Sequence, residues 1–315
     1  MSIIMKKRVL ITGGNGFIGR HTLIPLIKLG YEVHVVTSQP GTGTHTTNHA
    51  VDLLDCSKHL PLIETIRPSH LLLAAWYTEH GKFWDATENV DWLKATISLG
   101  KIFYSKGGQR ILGVGTCAEY DWEDGLCIEG KTKEAPISLY GKIKLTPYEC
   151  LQTLAQMSGQ SFVWARIFFT FGPGECKNRL IPYVILKLLN GEKAQCTQGN
   201  KIRDFLHVSD LGNALAILLN TNIQGIINIG SGIPITIQEM VTKIATQLQR
   251  EDLISFSDAS GHAYSPNKIL ADISKLKNET DWQPTLPIDE GLSKTIQWWK
   301  NLIEVERNST YENRN

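Results

Sequence analysis

The feature that most constrains this chain is the stretch from Arg8 to Gly19, which reads R-V-L-I-T-G-G-N-G-F-I-G. Val9, Leu10 and Ile11 form a short apolar run of the kind that makes a buried parallel strand. Gly13, Gly16 and Gly19 follow at three-residue spacing, and His21 to Leu29 then reads as a helix. Glycines suit that turn because the backbone must bend sharply, approach a pyrophosphate closely and let the helix pack on the strand. The helix N-terminus would present free N–H groups to the phosphates. A glycine-rich turn alone is a weak signal. Placed between a strand and a helix it predicts dinucleotide binding, with Gly13, Asn15, Gly16, Phe17, Ile18 and Gly19 around the cofactor.

A chain of 315 residues has room for one large α/β domain or two lobes sharing a core. Its net charge of +1 offers no field for nucleic acid or an anionic membrane, so neither is an expected partner. No apolar run reaches the length of about 18 residues that a membrane span needs. Met1 to Lys7 runs straight into the first strand without the apolar region of a signal peptide. Cys56, Cys117, Cys127, Cys150, Cys176 and Cys196 are scattered, without C-x-x-C pairing or Cys/His ligand spacing. They read as reduced thiols in a cytoplasmic protein, and no metal is expected.

Glu32 to Thr37 reads as the second strand. A carboxylate at its end would hold the adenosine ribose and favour NAD, but the chain has Thr37-Ser38-Gln39 there. Hydroxyls donate to a 2′-phosphate, so the local reading favours NADP(H) over NAD(H). Otherwise Thr37 and Ser38 merely start the loop Pro40 to Thr47. Ala50 to Leu53 is expected as a third strand, with Asp52 placed for the adenine amino group and Leu53 beside it. Cys56 to Ile66 is expected as a helix ended by Arg67-Pro68. Leu71 to Ala75 is a fourth strand, ending in small residues, Ala74 and Ala75, where a nicotinamide needs room. Strand–helix alternation of this kind predicts a doubly wound parallel sheet.

The loop Trp76 to Asn89 carries large aromatics, a histidine and carboxylates beside the cofactor end of the sheet. It is either a packed surface loop or a substrate-facing wall in which Thr78 and His80 touch a polar ligand. Asn89 to Ser105 reads as an amphipathic helix with Val90, Leu93, Ile97 and Ile102 on or near one face. Arg110 to Gly115 is a fifth strand that delivers Thr116 to its C-terminal end.

Downstream stands S-L-Y-G-K-I-K, residues 138–144. Positions i and i+4 share a helix face, so Tyr140 and Lys144 would point into one cleft. An ammonium beside a phenol favours phenolate and would draw the tyrosine down from about 10 toward working pH. Thr116 would donate to the same substrate oxygen. Tyr-x-x-x-Lys is a very weak motif by itself; its place after the glycine turn and Thr116 is what gives it value.

Further on, Phe162 to Phe169 is expected as a sixth strand. Asn178-Arg179 either face the nucleotide or cap the helix Leu180 to Leu189. Arg203-Asp204 introduce a strand Phe205 to Val208, with Asp204 structural, and Ser209 would cap the helix after it. Thr236 and Glu239 form a capping box. His262 reads as a solvated loop histidine.

The chain resembles an extended short-chain dehydrogenase/reductase of the nucleotide-sugar epimerase, dehydratase and reductase branch. The matching pieces run in order over nearly the whole length: T-G-G-N-G-F-I-G at 12–19, D-L at 52–53, G-T-C-A-E-Y at 115–120, Y-G-K-I-K at 140–144, R-I-F-F-T-F-G-P-G-E at 166–175 and R-D-F-L-H-V-S-D-L at 203–211. The resemblance implies a Rossmann-type doubly wound sheet with a smaller, interleaved C-terminal α/β substrate lobe. The Rossmann domain would span 1–170, with 203–230 returning to the sheet. The substrate lobe would be 171–202 and 231–305, and 306–315 a frayed tail. It also implies Thr116, Tyr140 and Lys144 as catalytic, Ile167 by the cofactor, and Arg203 on the diphosphate of a nucleotide sugar. Cys117, Ala118, Asn178 and Arg179 would then line the substrate site. Relatives use helices like those at 90–105 and 140–157 to dimerise, which implies a homodimer.

Two departures refine the chemistry. Dehydratases of this branch carry Asp-Glu directly after the catalytic threonine, where this chain has Cys117 and Ala118, neither able to move a proton usefully. Many epimerases have Asn where this chain has Phe169. The expected activity is therefore NADPH-dependent reduction of a 4-keto-6-deoxy sugar nucleotide. The alternatives are an NAD-dependent 4-epimerase and, outside catalysis, an NADP-sensing or scaffold protein.

Overall fold

In the computed structural model the described residues are 7–38, 45–197, 199–257 and 266–312. The first half runs β1 (Arg8–Thr12), α1 (Gly19–Lys28), β2 (Glu32–Thr37), β3 (Thr47–Ala50), α2 (His59–Ile66), β4 (His70–Leu73), α3 (Glu88–Ser105), β5 (Arg110–Thr116), β6 (Leu126–Cys127) and α4 (Leu139–Ser158). The second half runs β7 (Ser161–Ile167), β8 (Phe169–Phe171), α5 (Leu180–Leu189), β9 (Ala194–Thr197), β10 (Ile202–His207), α6 (Val208–Asn220) and β11 (Gly225–Ile229). It ends with β12 (Pro234–Thr236), α7 (Ile237–Leu248), β13 (Ile254–Ser257), β14 (Lys268–Ala271), α8 (Ser274–Glu279) and α9 (Ile288–Glu312).

The main sheet is parallel, in the order β11-β7-β5-β4-β1-β2-β3. Its inner strands are buried on both faces, which is why β1 and β4 read as continuous apolar runs rather than alternating ones. One face carries α1 and α6 over Val9, Ile11, Leu112 and Val163; the other carries α2, α3 and α4 over Leu10, Leu71, Ile111 and Phe162. Strand order reverses between β1 and β4, the place where doubly wound sheets bind ligands at the strands' carboxyl ends.

Several expected boundaries move. The third strand is Thr47–Ala50, so Asp52 and Leu53 lie beyond it. The expected strand 162–169 is two strands, because the chain steps off the main sheet at Phe168, whose N–H donates to Ile229 O at 3.1 Å. Only part of 203–230 returns to the main sheet. β11 does, whereas β10 joins a second sheet with β12, β14 and β8. His207, not Ser209, caps α6, its Nδ1 accepting the Ser209 N–H at 3.3 Å. The tail expected to fray from 306 is helical through Glu312. On α3, Val90 is exposed and Asn89, Thr96, Leu99, Gly100 and Phe103 face inward instead. Asn89 is drawn in by hydrogen bonds: its Nδ2 donates to Phe83 O and Ala86 O at 2.8 Å each, and its Oδ1 accepts Trp76 Nε1–H at 2.7 Å.

Asp204 ties the second sheet to the first. It is fully buried and its carboxylate accepts Ser231 N–H at 2.6 Å, Ser231 Oγ–H at 2.7 Å, Gly232 N–H at 3.0 Å and Ala271 N–H at 3.1 Å. Asp204→Ala leaves those backbone donors without partners, and each such buried group costs about 1–3 kcal/mol. Urea unfolding of this variant should show a loss of about 3 kcal/mol or more with an unchanged slope. A loss within about 0.5 kcal/mol would contradict this structural role.

Candidate active site

The ends of β1 and β4 are stitched together by Thr12, whose Oγ1 accepts the N–H of Ala74 and of Ala75, both at 3.1 Å. Gly13 has φ +69, and a Cβ there would stand 2.9 Å from the Ala75 backbone. A Cβ on Gly19 would be driven into the Gly13 carbonyl oxygen and would stand 2.8 Å from Gly14 Cα. The turn is therefore as tight as its sequence implied, with Asn15 and Gly16 exposed and Phe17 and Ile18 half-buried. Ile18 gives α1 no side-chain cap; Arg20 N–H donates to Gly16 O at 3.2 Å and His21 N–H to Ile18 O at 3.1 Å, and among the described residues the N–H groups of Phe17 and Ile18 are left for a ligand or water. The cradle fits a dinucleotide pyrophosphate. At the adenosine end, Thr37 is buried and Ser38 exposed; Gln39 and 40–44 lie outside the described residues. Asp52 is exposed, and one carboxylate oxygen accepts Leu54 N–H at 3.0 Å; Leu53 is buried.

Thr116 ends β5, opposite Ile167 in the register with β7. Ser138 starts α4 by accepting the Gly141 N–H at 3.0 Å, and Tyr140 N–H donates to Trp84 O at 2.9 Å. The Thr116 side chain neighbours the Tyr140 phenol and acts to lower its pKa. One turn on, buried Lys144 donates from Nζ to Val114 O at 2.7 Å, with the Trp76 ring centroid 4.0 Å away. Thr116, Tyr140 and Lys144 thus converge at the carboxyl end of β5.

Contrary to expectation, the chain's own groups do not acidify Tyr140. Burial pushes the phenol above its ordinary value and the Glu119 charge adds to that, while the neighbouring Thr116 side chain and the Arg179 charge pull it back. The rings of Phe83 and Trp84 enclose it edge-on at 4.9 and 5.8 Å. The Lys144 ammonium is turned to the Val114 carbonyl, and burial lowers its own pKa to about 8 against the raising effect of Glu119. Tyr140 is therefore protonated through the neutral range and is poised to give a proton rather than take one.

Cys117 and Ala118 form a buried turn after Thr116. They cluster with Trp122, Phe168 and Ile269, and Trp84, Tyr140 and Phe169 pack on that cluster. Burial pushes the Cys117 thiol up, leaving it unreactive. Arg203 is buried and donates to Ile202 O at 2.7 Å and Pro266 O at 2.9 Å; its guanidinium lies 5.3 Å from the Phe169 ring centroid. Arg179 gives α5 no side-chain cap. It lies 5.1 Å from the Phe83 ring centroid, and its charge reaches Tyr140, Glu175 and His80. Burial, then that charge, lowers the His80 pKa. Burial raises Glu175 to about 8, against the lowering effect of Arg179. Thr78 and Asn178 are exposed, and among the described residues no hydrogen bond ties them to Tyr140. His262 lies outside the described residues.

Of the loop 76–89, Trp76 lies against Lys144 and Phe83 and Trp84 lie against Tyr140, while Thr78 is exposed. Sequence reasoning missed Glu119, although Thr116-x-x-Glu119 is a capping-box pattern that marks it, and the structure forms that box.

This is the architecture of enzymes that work on a bound nicotinamide dinucleotide. The chain belongs to the NAD dependent epimerase/dehydratase family, whose model matches residues 9–230. A UDP-glucuronic acid decarboxylase 1 of Xenopus tropicalis is 29% identical, over 97% of this chain and 75% of its own length. A dTDP-4-dehydro-6-deoxyglucose reductase of Escherichia coli is 24% identical, over 93% of this chain and 97% of its own. The fold matches a Thermus thermophilus UDP-glucose 4-epimerase in complex with NAD, with a TM-score of 0.84 at 22% identity, covering 93% of this chain and 99% of that one.

Proposed function

We propose that the chain reduces the 4-keto group of a nucleotide-linked 4-keto-6-deoxy sugar to the alcohol, drawing on NADPH. The observation that carries this reading is a phenol held protonated beside Thr116 in an enclosure walled by Cys117, Ala118, Trp84 and Phe169. The nicotinamide, when bound, supplies the hydride that adds to C4. Tyr140 gives its proton to the developing alkoxide, and Thr116 donates a hydrogen bond to the same oxygen, so charge is met as it develops. Lys144 would hold the cofactor ribose. Arg179 and Arg203 would face the diphosphate, and the apolar wall suits a methyl group at C6. No carboxylate stands at 117 or 118 to remove a sugar proton, so elimination of water is not part of the proposal. The E. coli reductase relative supports the reaction class, and Ser38 at an acid-free end of β2 supports NADPH. Homodimerisation through the exposed sides of α3 and α4 belongs to the same proposal.

A 4-epimerase keeping NAD is the competing reading, supported by the fold neighbour that carries NAD. Heating the purified protein and identifying what it releases separates the two. The reductase reading expects substoichiometric cofactor, and NADPH consumption on adding a 4-keto-6-deoxy sugar nucleotide. Stoichiometric NAD with no NADPH consumption would overturn it.

A further inference from the structure

We propose that Glu119 is a positioning residue for the Thr116–Tyr140–Lys144 cluster, fixing the Thr116 backbone and setting the cluster's charge from beneath. The proposal rests on the reading that these three side chains serve a bound nicotinamide cofactor.

Glu119 is fully buried, one turn after Thr116. Its Oε1 accepts the Thr116 N–H at 2.8 Å, and its Oε2 accepts Arg166 Nε–H at 2.6 Å and Trp164 Nε1–H at 2.9 Å. Burial raises the Glu119 carboxyl above its ordinary value and the Arg166 charge opposes that; every one of these partners is a donor, so the pocket fits the ionised carboxylate, and a protonated one would lack an acceptor. Gly115 makes the room, since a Cβ there would stand 2.6 Å from Oε1. With the backbone held this way, the Thr116 hydroxyl accepts the Ala118 N–H at 3.2 Å and keeps its own hydrogen for Tyr140 or a substrate.

The ionisable groups whose charge couples to Glu119 are Arg166 from β7 and Lys144, Tyr140 and Tyr148 from α4. Glu134 lies beyond, 3.0 Å from Arg166 Nη1, and the Tyr120 ring centroid lies 4.3 Å from the guanidinium. The buried anion acts on both members of the proposed pair in the useful direction. It opposes the loss of the Lys144 proton that burial promotes, and it adds to the retention of the Tyr140 proton. A neutral side chain at 119 could keep the packing but not this charge.

The test is the pH dependence of NADH binding, read by quenching of tryptophan fluorescence, because Trp76 lies against the Lys144 ammonium. It needs no turnover and no substrate. Wild-type affinity should fall as pH rises through about 8, where Lys144 loses its proton. In Glu119→Gln the same fall should come roughly one pH unit lower, making binding at pH 8 about fivefold weaker. Glu119→Asp, which keeps the charge, should restore the wild-type profile. If Glu119→Gln does not fold, Glu119→Gln with Arg166→Met removes both buried charges and should show the same displacement. Superimposable profiles for folded wild type and charge-free variants would overturn the proposal. A displaced NADH profile in a protein that reduces no 4-keto sugar supports it and defeats the reductase reading alone.

Discussion

Tyr140→Phe should abolish turnover while leaving fold and dinucleotide affinity unchanged. Removing a positioned general acid costs about 10²–10⁴-fold in rate. The ring survives in the variant, so its edge-on contacts with Phe83 and Trp84 survive. What disappears is the hydroxyl that stands beside Thr116 and would protonate a substrate oxygen. The expected result is a kcat about a thousandfold below wild type, with a melting temperature and NADH affinity close to wild type. A variant within tenfold of wild-type kcat would show that the proton comes from elsewhere. A variant that has also lost NADH binding would show that the hydroxyl is structural.

Gly19→Ala should be the most damaging single methyl group in the N-terminal half. Its Cβ would strike the Gly13 carbonyl oxygen and stand 2.8 Å from Gly14 Cα, both backbone atoms that cannot swing aside. Relief requires α1 to lift from β1, and α1 packs through Leu26 on the core shared with α6. Overpacking of this kind costs about 1–3 kcal/mol and occasionally more, and rigid backbone neighbours put this case at the upper end. The N–H groups offered to the pyrophosphate move with the helix, so NADH affinity should fall at least about tenfold. Urea unfolding and calorimetric titration with NADH check the two effects separately. Wild-type affinity in this variant would show that the turn does not hold the cofactor.

The glycine turn was legible because much of its constraint is local: the atoms a Cβ on Gly16 or Gly19 would strike belong to the same turn. The capping box of Thr236 and Glu239 and the helix Leu180–Leu189 were legible for the same reason. Long-range effects were not. Tyr140 and Lys144 sit one turn apart as their spacing implied, but the direction of the tyrosine shift depends on Phe83, Trp84 and Glu119, none adjacent in sequence. The inward face of α3 was misread because Asn89 is drawn in by the carbonyls of Phe83 and Ala86 and by Trp76. Glu119 escaped notice because its buried partner, Arg166, lies 47 residues away. Burial of charge depends on who meets whom across the sheet, which a linear pattern does not show.

The most direct test uses NADPH carrying deuterium at both C4 positions of the nicotinamide, supplied with a dTDP-linked 4-keto-6-deoxyhexose. The account predicts an alcohol product labelled at sugar C4, formed by the wild-type chain and not by Tyr140→Phe. Product without deuterium, or no product while Thr116, Tyr140 and Lys144 are intact and NADPH is bound, would contradict it.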